Sequence, residues 1–225
     1  MNRSKSLGVS LASVLLGGGA LALAGFGLAS DTPHQSALNC VPSQAAAKTC
    51  SLNFSTFPDS MAGEHGTNGG AHPDWVSYSN DNLVVPPNTT VNVTIDQYDS
   101  GGPLNDPFFD EVMGTIGGTA TIDGKTVSSV DPSNVGHTFT LRGIPGNGTN
   151  IFVSVPLPAD GNTDNSVVFN GTHYNKPVVV QFSFKTGSKG VYEWNCEFPC
   201  GGTRIGEFGS AMSAFGYMSG TLTVK

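Results

Sequence analysis

From Asp81 onward the chain is a succession of short alternating segments, and that alternation restricts it to an all-β fold. In "TTVNVTIDQY", Val91, Val93 and Ile95 alternate with Asn92, Thr94 and Asp96. In "PVVVQFSFK", Val178, Val180, Phe182 and Phe184 share one face, because side chains two apart leave a strand on the same side. "TATID", "HTFTL", "IFVSVPL" and "SVVFN" are further short runs separated by Gly, Pro, Asn and Asp. No stretch after residue 80 sustains a helical period over three turns. The 30 glycines and 14 prolines supply the turns between strands. The expectation is one all-β domain over residues 81–225, a Greek-key β-sandwich or barrel.

Upstream, the pattern is weaker. Residues 31–80 are rich in Ser, Thr, Gly, Asn, Pro and Ala and read as a linker or an arm lying on the domain. Within them "FSTF" and "WVSYS" could add short edge strands. At the N-terminus, Arg3 and Lys5 precede an uncharged stretch from Leu7 to Ala29. That is the build of an export signal, with small residues near Ala29 and Ser30 as a cleavage point. The stretch is also long enough to cross a bilayer if it is not cut. Residues 1–30 are therefore a signal peptide or a membrane anchor, and the remainder is expected outside the cytoplasm: periplasmic, at the cell surface or extracellular. Asn53, Asn88, Asn92, Asn147 and Asn170 open N-x-Ser/Thr sequons, which a chain rich in Asn and Thr produces by chance.

Four cysteines in an exported chain are first read as disulfides. The simplest of the three pairings joins Cys40 to Cys50 and Cys196 to Cys200. Without Arg3 and Lys5 the chain keeps 8 basic and 17 acidic residues, a net charge of −9. Such an acidic protein repels phosphate backbones, which excludes nucleic acid as a partner and favours a basic protein.

Strand parity draws three chemically distinctive residues together. His137 shares a face with Phe139 and Leu141, Cys196 with Tyr192 and Trp194, and Met218 with Leu222 and Val224. Cys196 ends its strand and Met218 begins the next, so both lie at one pole of the sheet. His137 begins its strand and reaches that pole if its strand runs antiparallel to the one ending at Cys196. A thiolate, an imidazole and a thioether converging there form a copper ligand set.

The segments "GHTFTL", "YEWNCEFPCG" and "GYMSGTLTV" resemble those of the cupredoxins, over about residues 83–225. Within that superfamily they are most similar to sulfocyanin-type proteins and to the copper domain of cytochrome c oxidase subunit II. The resemblance implies a cupredoxin-like Greek-key sandwich with His137, Cys196 and Met218 as metal ligands. The C-x-x-x-C-G pattern is similar to the binuclear-copper loop of subunit II. It implies that Cys200 is a further ligand and that the Phe198 peptide carbonyl contributes. One departure is plain: the family places a second histidine between the cysteine and the methionine, near Phe215 here, and this chain has no histidine after His173. Cys200, Met212, Glu207 or His173 would have to replace it. The alternative is that Cys196 and Cys200 form a disulfide, which would consume the thiolates that a metal needs.

His65 and His72 flank the Gly/Asn stretch "HGTNGGAH", where they either chelate a metal or, as such loops usually do, titrate in solvent. Glu197 reads as a solvated carboxylate. Neither a Gly-x-Ser-x-Gly elbow, nor His-Glu-x-x-His, nor a phosphate-binding glycine loop is present, so nothing supports an enzyme. Two functions follow. The first is copper binding and electron transfer near a respiratory chain, with a cytochrome or an oxidase subunit as redox partner; the chain would be at most an accessory subunit of an oxidase. The second is a copper-free structural or interaction module.

Overall fold

The computed structural model describes residues 37–44, 46–62, 75–101, 107–144, 146–198, 200, 211 and 216–225. The Leu7–Ala29 segment, His65, His72, Glu207, Met212 and the Phe215 position lie outside them. Among the described residues the chain forms a two-sheet all-β sandwich.

The strands run in chain order as β1 (Leu38–Asn39), β2 (Val41–Pro42), β3 (Thr49–Phe57), β4 (Ser77–Tyr78), β5 (Asn82–Val85) and β6 (Thr90–Gln97). They continue as β7 (Ala120–Ile122), β8 (Lys125–Val127), β9 (Val135–Ile144), β10 (Asn147–Pro158) and β11 (Val167–Phe169). The last are β12 (Thr172–Tyr174), β13 (Val178–Lys185), β14 (Gly190–Asn195) and β15 (Ser219–Val224). One sheet has the order β1-β5-β15-β14-β9-β10 and the other β2-β3-β6-β13-β7-β8, with β4 added to β3. The β11–β12 hairpin stands apart. The chain changes sheets between β1 and β2, β4 and β5, β5 and β6, β8 and β9, and β13 and β14. It does so again across the β11–β12 hairpin between β10 and β13, so neither sheet is laid down in sequence order.

The alternations of β6 and β13 place Val91, Val93, Ile95, Val178, Val180, Phe182 and Phe184 in the core. From the facing sheet come Phe139, Leu141, Trp194 and Leu222, all essentially inaccessible. Phe139 lies at the centre of an aromatic group, its ring centroid 5.7 Å from Phe54, Phe182 and Trp194. Tyr78 packs edge-on against Trp194 at 4.8 Å. Pairs of this kind add roughly 0.5–1.5 kcal/mol beyond the area they bury.

The structure corrects the reading of residues 31–80 as a linker or arm, because their described part is built into the sandwich. β3 is not an edge strand: it lies between β2 and β6, and pairs with β6 in parallel from Thr49↔Thr90 to Thr56↔Gln97. Cys50, Leu52, Phe54 and Thr56 face inward while Ser and Asn fill much of the other face. Those small polar residues hide an alternation that apolar content alone does not reveal. "WVSYS" does contribute a strand, β4, paired antiparallel to β3.

Cys40 and Cys50 form a disulfide with Cα atoms 5.5 Å apart. It ties the β1–β2 segment to β3, and it points to an oxidising, extracytoplasmic compartment. The bond closes a loop of sequence separation 10, so replacing both cysteines by serine is expected to cost about 2–3 kcal/mol by chain entropy. Urea unfolding of the Cys40→Ser/Cys50→Ser protein under non-reducing conditions measures this, and an unchanged midpoint would remove the staple role.

Candidate metal centre

β14 lies between two antiparallel neighbours, and that register builds the site. Asn195, its last residue, is opposite Thr140 of β9 and Ser219 of β15. One step further along, Cys196 N–H donates to the Met218 carbonyl at 2.8 Å. The antiparallel run of β9 that the sequence argument required is present. It places His137 at the same end of the sheet as Cys196 and Met218.

At this pole His137, Cys196 and Cys200 form one buried cluster, their ligating atoms all within 4.8 Å of one another. Relative exposure is 2% for His137, 0% for Cys196 and 8% for Cys200. His137 Nδ1 lies 2.9 Å from Cys200 Sγ and 3.8 Å from Cys196 Sγ. Both cysteines are free thiols with sulfurs 3.1 Å apart, well beyond the ~2.05 Å of a bonded pair. The Cys196–Cys200 disulfide that the sequence left open is therefore not formed in this structure. Met218 is fully buried at the same pole and is tied to Cys196 through the main chain.

The remaining sequence candidates are placed otherwise. His173 sits exposed on β12, its Nδ1 3.3 Å from the Asn165 carbonyl, and does not join the cluster. The Phe198 carbonyl accepts the Cys200 N–H at 2.8 Å. Glu197, read as a solvated carboxylate, is paired with Arg142 at 3.2 Å.

The surroundings of Cys196 favour a thiolate. Its sulfur lies 3.4 Å from the Thr138 and Phe198 N–H donors. Burial opposes charge there, but hydrogen bonds from Cys200 and His137, and the His137 charge, hold its pKa well below the ordinary thiol value. Cys200 moves the other way: burial, then hydrogen bonding to Cys196 and its charge, push its pKa well above that value. The two thiols are thus pushed in opposite directions, Cys196 toward the thiolate and Cys200 toward the protonated form. For His137, burial would lower the pKa, but hydrogen bonds to Asp99 and Cys196 raise it to about 9.

Sequence reasoning missed three supporting residues. Asp99 Oδ2 is 2.7 Å from His137 Nε2. The Thr138 hydroxyl accepts the Glu197 N–H at 2.8 Å and fixes the start of the cysteine loop. The Tyr78 hydroxyl donates to the Thr138 carbonyl at 2.8 Å. No spacing ties these residues to the cysteines. The only trace is that "HTFTL" carries threonines where a solvent-facing strand would tolerate any polar residue, and both are buried.

No family model matches the chain, and no curated protein matches it. Solved structures do. Auracyanin B is 15% identical, with 87% of this chain and 99% of that chain covered and a TM-score of 0.34. Rusticyanin from Thiobacillus ferrooxidans is 15% identical over 91% of this chain and 94% of its own, with a TM-score of 0.35. Auracyanin A, a "blue" copper protein from the green thermophilic photosynthetic bacterium Chloroflexus aurantiacus, is 12% identical over 79% and 99%, with a TM-score of 0.34.

The cluster's protonation pattern fixes its pH dependence in the metal-free, reduced state. Cys196, whose pKa is lowered in the folded chain, contributes stability that is lost as pH falls through its folded value. Asp99, lowered from 3.8, adds to that loss at lower pH. His137, raised from 6.5 to about 9, contributes stability that is fully present below 6.5 and is lost as pH rises through about 9. Above 9.0 the folded chain still holds the Cys200 proton, so stability falls with rising pH. Urea midpoints between pH 9 and 10 should therefore decline in the wild type and stay flatter in Cys200→Ser. Equal slopes would contradict proton retention on Cys200.

Proposed function

We propose that this chain is an exported, cupredoxin-like protein that binds copper and transfers single electrons. The observation that carries the reading is the buried cluster of one imidazole and two thiols at the pole where β9, β14 and β15 meet. Its donors fit copper. Sulfur and imidazole nitrogen are the ligand types that copper takes in electron-transfer sites, and Cys196 is held as the thiolate that ligation needs. His137, Cys196 and Cys200 would hold the metal, and Met218 would add a soft thioether from the start of β15. Cys200 takes the part of the missing second imidazole. Bound copper supplies a one-electron couple.

The protein's share of the work is to keep the ligands still. His137, Cys196 and Cys200 are buried, and backbone donors grip the Cys196 sulfur. A rigid donor set changes little when an electron is gained or lost, which keeps the barrier to transfer low. The acidic surface supports docking to a basic redox protein such as a cytochrome or an oxidase subunit. The chain is then an electron carrier or an accessory subunit, not an enzyme. A second reading, a copper-free structural module, is favoured by the close approach of the two sulfurs, which oxidation would join.

The two readings separate on colour and thiol content. Reduced protein loaded with copper should show intense visible thiolate-to-copper bands. They should vanish in Cys196→Ser and shift or weaken in Cys200→Ser. A colourless wild type that has no free sulfhydryl at residues 196 and 200 before reduction would overturn the copper reading.

A further inference from the structure

Asp99 lies in the connection after β6, 38 residues before His137 in sequence, yet its carboxylate is the partner of the imidazole edge that faces away from the sulfurs. Nε2–H donates to Asp99 Oδ2 at 2.7 Å, while Nδ1 points at Cys196 and Cys200. A hydrogen bond at one ring nitrogen decides which nitrogen is left for a metal, and a carboxylate partner makes the imidazole a stronger donor.

The carboxylate is itself held in place. The backbone N–H groups of Ser100 and Gly101 donate to it. The Asp99 carbonyl accepts from Asp160 N–H at 2.9 Å and from Gln97 Nε2 at 3.2 Å. Gly101 has a φ of +60°, and a Cβ there would lie 3.0 Å from the Cα of Gly136, the residue before His137. A Cβ on Gly136 would in turn come within 3.1 Å of the Ala159 Cα. Glycine at both positions lets the Asp99 loop close directly onto the strand start that carries His137. The carboxylate is 17% exposed and the imidazole 3%, so Asp99 stands between the buried ligand and solvent.

We infer that Asp99 is the positioning residue of the metal centre: it fixes His137 with Nδ1 toward the sulfurs and raises the donor strength of the ring. The inference takes copper from the function proposed above, but the His137–Asp99 contact can be read without any metal.

The test uses the full chain, with Cu(I) as probe, in wild type, Asp99→Ala and Asp99→Asn. Asp99→Ala should weaken Cu(I) binding about 10–100-fold, the usual effect of losing such a partner. Asp99→Asn keeps an acceptor but no charge; it should restore most of the affinity and leave the reduction potential above that of wild type. Proton NMR of nitrogen-15-labelled protein supplies a second readout. The His137 Nε2–H resonance should be downfield and protected from exchange in wild type and Asp99→Asn, and lost in Asp99→Ala, with or without copper. Unchanged affinity and potential in both variants, or an unprotected Nε2–H in the wild type, would overturn the inference. A wild type that binds no Cu(I) would instead sink the copper reading, and the metal-free spectrum would still decide the role of Asp99.

Discussion

The pole depends on the register of β14 between β9 and β15. Asn195 is opposite Thr140 on one side and Ser219 on the other, and that pairing alone determines that Cys196 meets Met218 and His137. A slip of one residue would turn Cys196 outward together with Tyr192 and Trp194. The register is held by what those side chains bury: Trp194 against Phe139 and Tyr78, and Tyr192 through its hydroxyl, which accepts the Thr149 N–H at 2.8 Å. Gly220 belongs to the same constraint, because a Cβ there would fall 1.9 Å from the Asp81 carbonyl oxygen and 2.6 Å from the Trp194 ring. The strand that follows Met218 can approach β14 and the Asp81 segment only because that side chain is missing.

Above this apolar floor the polar groups form a closed set. Tyr78 donates to the Thr138 carbonyl, the Thr138 hydroxyl accepts from Glu197 N–H, and Thr140 bonds to Thr138 and Ser154. Each hydroxyl of this set has a partner, which is the condition for polar atoms to be tolerated so deep in a sandwich. Tyr78 itself stays neutral: burial first, then the negative charge at the cysteines, push its pKa well above the ordinary tyrosine value. The one ionised sulfur is therefore flanked by donors and an imidazolium rather than by a competing anion.

The sequence carried the sandwich because period-2 alternation is strong in β6, β13, β14 and β15, and parity in those strands put Cys196 and Met218 on the core face. β3 was harder to read because Ser, Thr and Asn occupy positions where apolar residues would have marked a strand. In β9 both faces are buried, because Thr138 and Thr140 are covered as fully as Phe139 and Leu141, and alternation alone does not announce that. Whether Cys196 and Cys200 were bonded could not follow from their spacing, since a four-residue step permits either a disulfide or two thiols converging on a third group. Asp99 left no trace at all. Its part in the site arises from a loop closing over two glycines, and no pattern in "QYDSGG" announces that closure.

The free cluster also makes chemical sense of the missing histidine. A site with two imidazoles and one thiolate needs only the thiolate to lose a proton. Under the copper reading Cys200 would stand in for an imidazole, and Cys200 and His137 each hold a proton at neutral pH. Both protons sit on atoms that ligation would use, so the pole is pre-charged with hydrogen where a metal would go. The Cys196 thiolate and the His137 imidazolium cancel, which leaves the Asp99 carboxylate as the net charge of the metal-free site. A cation entering there would meet the Cys196 sulfur, a partly exposed carboxylate behind the imidazole, and two protons that it must displace. The Cys200 proton would make the second thiol a pH-dependent ligand, as the His137 proton would the imidazole.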